Sequence, residues 1–142
     1  MKYINKKLKI EKVDINNIAK KYNTPTYCYS YEQLKNNIDN FKKSFKSFSP
    51  LICFSVKSNT NLDLIREIKK FGLGADVVSV GELMMAIKAG ISPNKIVFSG
   101  VGKTSDEIKY AIEKKILLIN AESESEIKEI NRIAKLKKKI VN

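Results

Sequence analysis

An α/β fold with parallel strands is what the sequence predicts, and three observations predict it. Short apolar runs recur about every 20 to 25 residues, at Leu51–Val56, Ala75–Val80, Lys95–Ser99 and Ile116–Ile119. A polar or glycine-bearing turn follows each run, and then a segment whose apolar residues return with helical period. Helix-start signatures stand at three of those junctions. Ser79-Val-Gly-Glu82, Thr104-Ser-Asp-Glu107 and Ser123-Glu-Ser-Glu126 all have the S/T-x-x-E form, in which the hydroxyl accepts from the third helical amide and the acid reaches back to the cap. Strands alternating with helices pair in parallel through right-handed crossovers. An open doubly wound sheet and a (β/α)8 barrel both satisfy the pattern. A full barrel takes about 250 residues, so the four units here amount to roughly half of one.

Ahead of the repeats, Asp14 followed by Ile15, Ile18, Ala19 and Tyr22 predicts a short capped helix that Pro25 ends. Thr26–Ser30 reads as a strand. Ser30-Tyr-Glu-Gln33 is the glutamine variant of the capping box, and Tyr31, Leu34, Ile38, Phe41, Phe45 and Phe48 form one apolar stripe at helical spacing. The expected organisation is a lead-in helix over residues 1–25 and a run of β/α units over 26–142.

Composition narrows the function classes. Of the 142 residues 43% are hydrophobic and 30% charged, the balance of a chain with a real core. No apolar run approaches the roughly 18 residues of a membrane span, and MKYINKKLKI lacks the apolar stretch of a signal peptide. Lys and Arg exceed Asp and Glu by 27 to 15, yet the basic residues lie along every segment with no aromatic interleaving, which argues for solvated surface over nucleic acid. Cys28 and Cys53 have no CxxC spacing, and the chain has no histidine, so metal chemistry is not expected. Two thiols without a secretion signal fit a reducing cytoplasm.

The segment Leu51-Ile-Cys-Phe-Ser-Val-Lys57 carries the chemistry. Strand period two puts Ile52, Phe54 and Val56 on one face and Leu51, Cys53, Ser55 and Lys57 on the other. The bulky face suits packing under helices. The smaller face leaves room beside a lysine at the strand's C-terminal end, where α/β folds build active sites. A neutral lysine there is a nucleophile able to form an imine with an aldehyde; a protonated one is an ordinary surface charge.

Four segments resemble, in order, those of the alanine-racemase-like, barrel-type decarboxylases that use pyridoxal phosphate. Phe54-Ser-Val-Lys57-Ser-Asn-Thr-Asn61 is similar to their Y-A-V-K-x-N-x-N, and Gly72-Leu-Gly-Ala-Asp-Val-Val-Ser-Val-Gly-Glu-Leu83 to G-x-G-A-D-V-V-S-x-G-E-L. Lys95-Ile-Val-Phe-Ser-Gly-Val-Gly-Lys-Thr104 and Asn120-Ala-Glu-Ser-Glu-Ser-Glu126 resemble two more, and SGVGKT resembles the diaminopimelate decarboxylases within the group. The resemblance covers roughly residues 24–142. Phe54, Ser55 and Val80 depart conservatively from the usual Tyr, Ala and Gly.

The resemblance implies a partial TIM-type (β/α)8 barrel, about the first four β/α units, with Lys57 as the lysine that joins pyridoxal 5'-phosphate. It implies decarboxylation of meso-2,6-diaminopimelate to L-lysine, the last step of lysine biosynthesis, by a cytoplasmic homodimer with no nucleic-acid or membrane partner. A sister decarboxylase of the carboxynorspermidine or arginine type, or a non-catalytic gene fragment, is the alternative. The family's glycine-rich phosphate loop, ring-stacking histidine, acidic partner of the pyridine nitrogen and C-terminal β-domain would all lie past residue 142, so the chain alone is expected to be inactive. Asp76 is expected on the strand beside the one ending in Lys57. It either pairs with the cofactor's imine nitrogen or an arginine, or is a buried carboxylate that holds a loop. Glu82 is explained as the capping partner of Ser79. SGVGK lacks Walker spacing, and Lys103 is at best near a substrate carboxylate.

Overall fold

The computed structural model describes every residue, Met1–Asn142, and the chain divides into two compact units, Met1–Pro50 and Leu51–Asn142. The first opens with strands that the sequence did not announce. β1 (Lys2–Ile4) and β2 (Lys7–Ile10) form an antiparallel hairpin, and β3 (Val13–Asp14) pairs antiparallel with β2. Asn5 and Lys6 link β1 to β2 with φ of 50° and 61°, the doubly left-handed loop whose twist matches that of the strands. Its usual marker, Asn-Gly, is absent, and the strands are short and lysine-rich, so no alternation stands out. The region expected to be only a lead-in helix is therefore a three-stranded sheet followed by one.

That helix, α1 (Ile15–Tyr22), starts where expected, with the Asp14 carboxylate accepting from the Asn16 N–H at 2.8 Å. It ends at Asn23, φ 66°, two residues before Pro25. Thr26–Ser30 is not a strand: it belongs to no ladder, and Tyr27 and Tyr29 are exposed. Alternating side chains suggest a strand only where a partner's backbone groups are in reach.

α2 (Tyr31–Ser44) begins with Ser30 Oγ accepting from the Gln33 N–H. Gln33 does not close the box; its carboxamide donates to Asn37 at 2.8 Å. Glu11 takes that place, accepting from the Glu32 N–H at 2.8 Å and from the Ser30 hydroxyl at 2.7 Å. Those two bonds, the amide first, hold the Glu11 carboxyl below its ordinary range. The helix stops at Ser44, so the apolar stripe is shorter than the spacing predicts and Phe48 lies outside it.

In the second unit the alternation is as predicted. β4 (Cys53–Ser55), β5 (Gly74–Val77), β6 (Ile96–Phe98) and β7 (Leu118–Ile119) form one parallel sheet in the order β4-β5-β6-β7. Strand order equal to chain order, without a reversal, is the topology of barrel units rather than of a doubly wound sheet. The helices between and after them are α3 (Leu62–Lys70), α4 (Val80–Lys88), α5 (Ser105–Lys114) and α6 (Glu124–Lys137). The strands are shorter than the apolar runs, which extend past the paired residues at one or both ends.

The core lies between sheet and helices. Val56, Ala75, Val77, Ile96 and Phe98 from the sheet side meet Ile65, Leu83, Ala86, Ile108 and Ala111 from the helices, all fully buried. Gly74 shows how tightly the sheet is built. A Cβ placed there would run into the Lys95 carbonyl oxygen and approach Cys53 Sγ at 2.9 Å, so the glycine in Gly72-Leu-Gly-Ala-Asp is required by backbone approach. Gly74→Ala is therefore expected to destabilise the chain by about 1–3 kcal/mol or more, the usual cost of overpacking. Urea unfolding followed by circular dichroism measures it.

Candidate active site

The C-terminal ends of the four parallel strands carry the polar residues. Lys57 follows β4 directly, inside a single 3₁₀ turn, Val56–Ser58. The turn is closed by the Asn59 N–H donating to the Val56 carbonyl at 3.0 Å and the Ser58 hydroxyl donating to the Ser55 carbonyl at 2.7 Å. Strand parity thus holds through Ser55 and stops, and the turn, not period two, sets the direction of Lys57. The two asparagines after it have local work. Asn59 Oδ1 accepts from the Asn61 N–H at 2.9 Å, and Asn61 caps α3 by accepting from the N–H groups of Asp63 and Leu64. Lys57-Ser-Asn-Thr-Asn61 is therefore a strand-to-helix connection with a lysine held at its start. Lys57 is exposed and makes no hydrogen bond or ion pair.

Asp76 lies on β5 beside Ser55 in register. Its Oδ2 accepts from the Ser55 hydroxyl at 3.2 Å and its Oδ1 from the Ser99 hydroxyl at 2.6 Å. Asn120 Nδ2 in turn donates to Ser99 Oγ at 3.0 Å. A polar row, Ser55–Asp76–Ser99–Asn120, thus crosses the ends of all four strands with one residue from each. No arginine or lysine pairs with Asp76; two hydroxyls hold its charge. The sequence contained a signal for Ser99 and Asn120 that went unused: each is the first polar residue after an apolar strand, as Asp76 is the polar residue within one. Cys53 sits below the row. Burial, and secondly the Asp76 charge, pushes its thiol up, which favours the protonated form.

Lys103 does not stand where a substrate would meet it. Its side chain is only 1% exposed. Nζ donates to the carbonyls of Gly100 and Asn120, both at 2.7 Å, and meets both Glu126 oxygens at 3.3 Å. An ammonium has three protons, and all are taken.

The capping glutamates hold the loops on this side of the sheet. Glu107 completes its box with Thr104 and also accepts from the Val80 N–H at 3.1 Å, which ties the start of α5 to the start of α4. Glu82 and Glu126 each reach one residue further back than the box predicts, to the N–H groups of Val78 and Glu122. Glu82 is thereby a loop-holding residue, in keeping with its capping role.

A cofactor aldehyde needs a lysine amine that the protein has not already committed. Of Lys57 and Lys103, only Lys57 meets that requirement, so the residues present leave a lysine open to such a group at this strand end. Nothing here offers a metal site: no group of three His, Cys, Asp or Glu side chains is gathered. No helix is long and apolar enough to cross a membrane.

Comparison with known proteins agrees with this fold. Residues 31–142 match the family model for the pyridoxal-dependent decarboxylase, pyridoxal binding domain. A diaminopimelate decarboxylase of Helicobacter pylori strain J99 is 47% identical over 113 residues, 80% of this chain and 28% of that protein. One from Aquifex aeolicus is 42% identical over 140 residues, 98% of this chain and 33% of that protein. The crystal structure of diaminopimelate decarboxylase from M. jannaschii superposes with a TM-score of 0.95 at 35% identity, over 99% of this chain and 34% of that one. The chain spans about a third of the length of the relatives it matches.

Two outcomes are expected from the charged groups. Lys103→Met leaves the Glu126 carboxylate buried and uncompensated, so it should cost about 3–5 kcal/mol in urea unfolding. The Glu107 carboxyl is held below its ordinary value by the Thr104 and then the Val80 amide. A lowered folded-state value means that the stabilisation is present above the unfolded value and is lost as pH falls through the folded one. Glu107→Gln should accordingly cost most at neutral pH, where that stabilisation is present, and urea unfolding should show the gap from the unaltered chain closing as pH falls through and below the ordinary carboxylate range.

Proposed function

Because the chain belongs to the pyridoxal-dependent decarboxylases through their pyridoxal-binding domain, we propose that Lys57 carries pyridoxal phosphate and serves decarboxylation of meso-2,6-diaminopimelate to L-lysine. The observation that carries the reading is the uncommitted Lys57 amine in the turn after β4, beside a β5 whose carboxylate is already held. The substrate is supported by the relatives, which are diaminopimelate decarboxylases, and by the H. pylori and M. jannaschii structures described as complexes with L-lysine. We read residues 26–142 as part of the barrel and 1–25 as its lead-in, since the family match opens at residue 31. A homodimer in a reducing cytoplasm belongs to the same reading; both cysteines are free thiols.

When bound, pyridoxal phosphate supplies an electron sink for the pair left behind as a carboxylate departs as carbon dioxide. Lys57 would hold the group at its aldehyde carbon through Nζ, and the same Nζ would hold or move a proton when it is not so engaged. Asp76, fixed by Ser55 and Ser99, presents a carboxylate that does not swing, beside the strand end that bears Lys57. A charge held in advance stabilises a neighbouring cation without reorganisation at the moment of reaction. The turn at Val56–Ser58 and the Asn61 cap keep Lys57 on rigid backbone.

Borohydride reduction should fix pyridoxal phosphate on Lys57 and on no other lysine of this chain when the chain stands in place of the matching segment of the H. pylori enzyme, as peptide mass spectrometry reads. A chimera of the H. pylori enzyme with its matching segment replaced by this chain should release carbon dioxide from diaminopimelate. In that chimera Lys57→Ala should abolish release. Lys57→Arg should abolish it too, since an arginine keeps the charge but cannot become a neutral amine. Near-normal turnover by the arginine variant would reduce Lys57 to a structural charge.

A further inference from the structure

Lys103 is a buried cation that the proposed chemistry does not use, and its contacts are of a particular kind. It grips the carbonyl of Gly100, the residue after Ser99, and the carbonyl of Asn120 itself. The side chains of those two positions, Ser99 and Asn120, are the ones that run to Asp76: Asn120 Nδ2 to Ser99 Oγ at 3.0 Å, then Ser99 Oγ to Asp76 Oδ1 at 2.6 Å. Glu126 backs the ammonium from α6 and is anchored by the Glu122 N–H at 2.7 Å, while the Glu122 carboxylate accepts from the Gly100 N–H at 3.3 Å. The loops after β6 and β7 are thus fastened to one charge, and the far end of that fastening is the Asp76 carboxylate. The Phe98 ring, 5.6 Å from Nζ, covers the charge.

We infer that Lys103, with Glu126 as its counter-ion, is a positioning residue that sets Ser99 and Asn120 onto Asp76 and so fixes the carboxylate beside the cofactor lysine. This rests on the reading of Lys57 and Asp76 given above, and the two are separable by experiment. A lysine that merely held the fold would cost stability when removed and leave Asp76 as it was. A positioning lysine changes the surroundings of a carboxylate that it does not touch.

The test uses the full chain with its five aspartates labelled at the carboxylate carbon, under conditions where circular dichroism shows each variant folded. In Lys103→Met the Asp76 resonance, assigned through Asp76→Asn, should move, and Lys103→Arg should bring it back toward its original place. Lys137→Met, which breaks the pair that joins α6 to Glu113 of α5, should leave it unmoved. In the chimera with the H. pylori enzyme, uptake of pyridoxal phosphate by Lys57, read from the visible absorbance, should slow about tenfold in Lys103→Met, within the hundredfold that a 1 Å misplacement can cost. Asn120→Ala should slow it similarly, and the double variant should be no slower than the worse single one. An Asp76 resonance unchanged in folded Lys103→Met would overturn the inference. Should that variant not fold, Glu126→Gln and Asn120→Ala take its place, and an unmoved resonance in both would overturn it equally. Failure of the unaltered chimera with the H. pylori enzyme to take up cofactor at Lys57 would sink the cofactor reading instead, and the Asp76 resonance would then decide the role of Lys103 alone.

Discussion

Parallel pairing in chain order is the constraint on which the site depends. Each strand is only two to four residues long, so side-chain packing alone could not hold its register; the backbone ladder and the buried face do so together. Cys53 faces Gly74, Ala75 faces Ile96, and Val97 faces Leu118. With those pairings set, the strand ends come level, and the first polar residue at or after each end meets its neighbour. The row from Ser55 to Asn120 follows from register. Slipping any one strand by a single residue would turn its polar residue to the opposite face.

Level strand ends create a second requirement, because four connections must turn at nearly the same height with their amides satisfied. The chain meets it with carboxylates. Glu82, Glu107 and Glu126 all sit in the third position of a helix and accept from backbone N–H groups in the turn before it. Such charge-assisted bonds are shorter and stronger than neutral ones, and a carboxylate near a helix N-terminus also meets the positive end of the helix dipole. The Glu107 bond to Val80 and the Lys103 bond to Asn120 go further and join one unit to the next. The connections thereby behave as one cross-linked rim, which lets Lys57 stand uncommitted at its edge without loosening the backbone beneath it.

Much of this was legible in the sequence, for reasons that differ by element. The four β/α units were readable because apolar runs, caps and helical period agree at each junction, and the place of Lys57 at a strand end was readable because the apolar run Leu51–Val56 leads straight into it. Asp76 was readable as a residue but not by its partners, since Ser55 and Ser99 are 21 and 23 residues away along the chain. The setting of Lys103 was hidden for the same reason, since its partners Asn120 and Glu126 are 17 and 23 residues away along the chain. At the N-terminus the hairpin was hidden because its turns use Asn-Lys and Glu-Lys, and Glu11 is a capping residue supplied from outside the helix that it caps. The sheet-like look of Thr26–Ser30 came from side-chain alternation, which says nothing about whether a neighbouring backbone exists.

The buried pair at the loops after β6 and β7 also bears on descent. An ammonium at 1% exposure facing a carboxylate at 9% leaves neither partner free to drift alone, because each single loss strands a charge in a poorly solvated place. A lineage that exchanged Lys103 for an apolar residue would have to neutralise Glu126 at nearly the same time. Glutamine would be the tolerated replacement, since its carboxamide oxygen could still receive the Glu122 amide. Positions 103 and 126 should therefore be inherited as a unit, changing together or not at all, while the lysines on the outer faces of the helices come and go with the base composition of the genome.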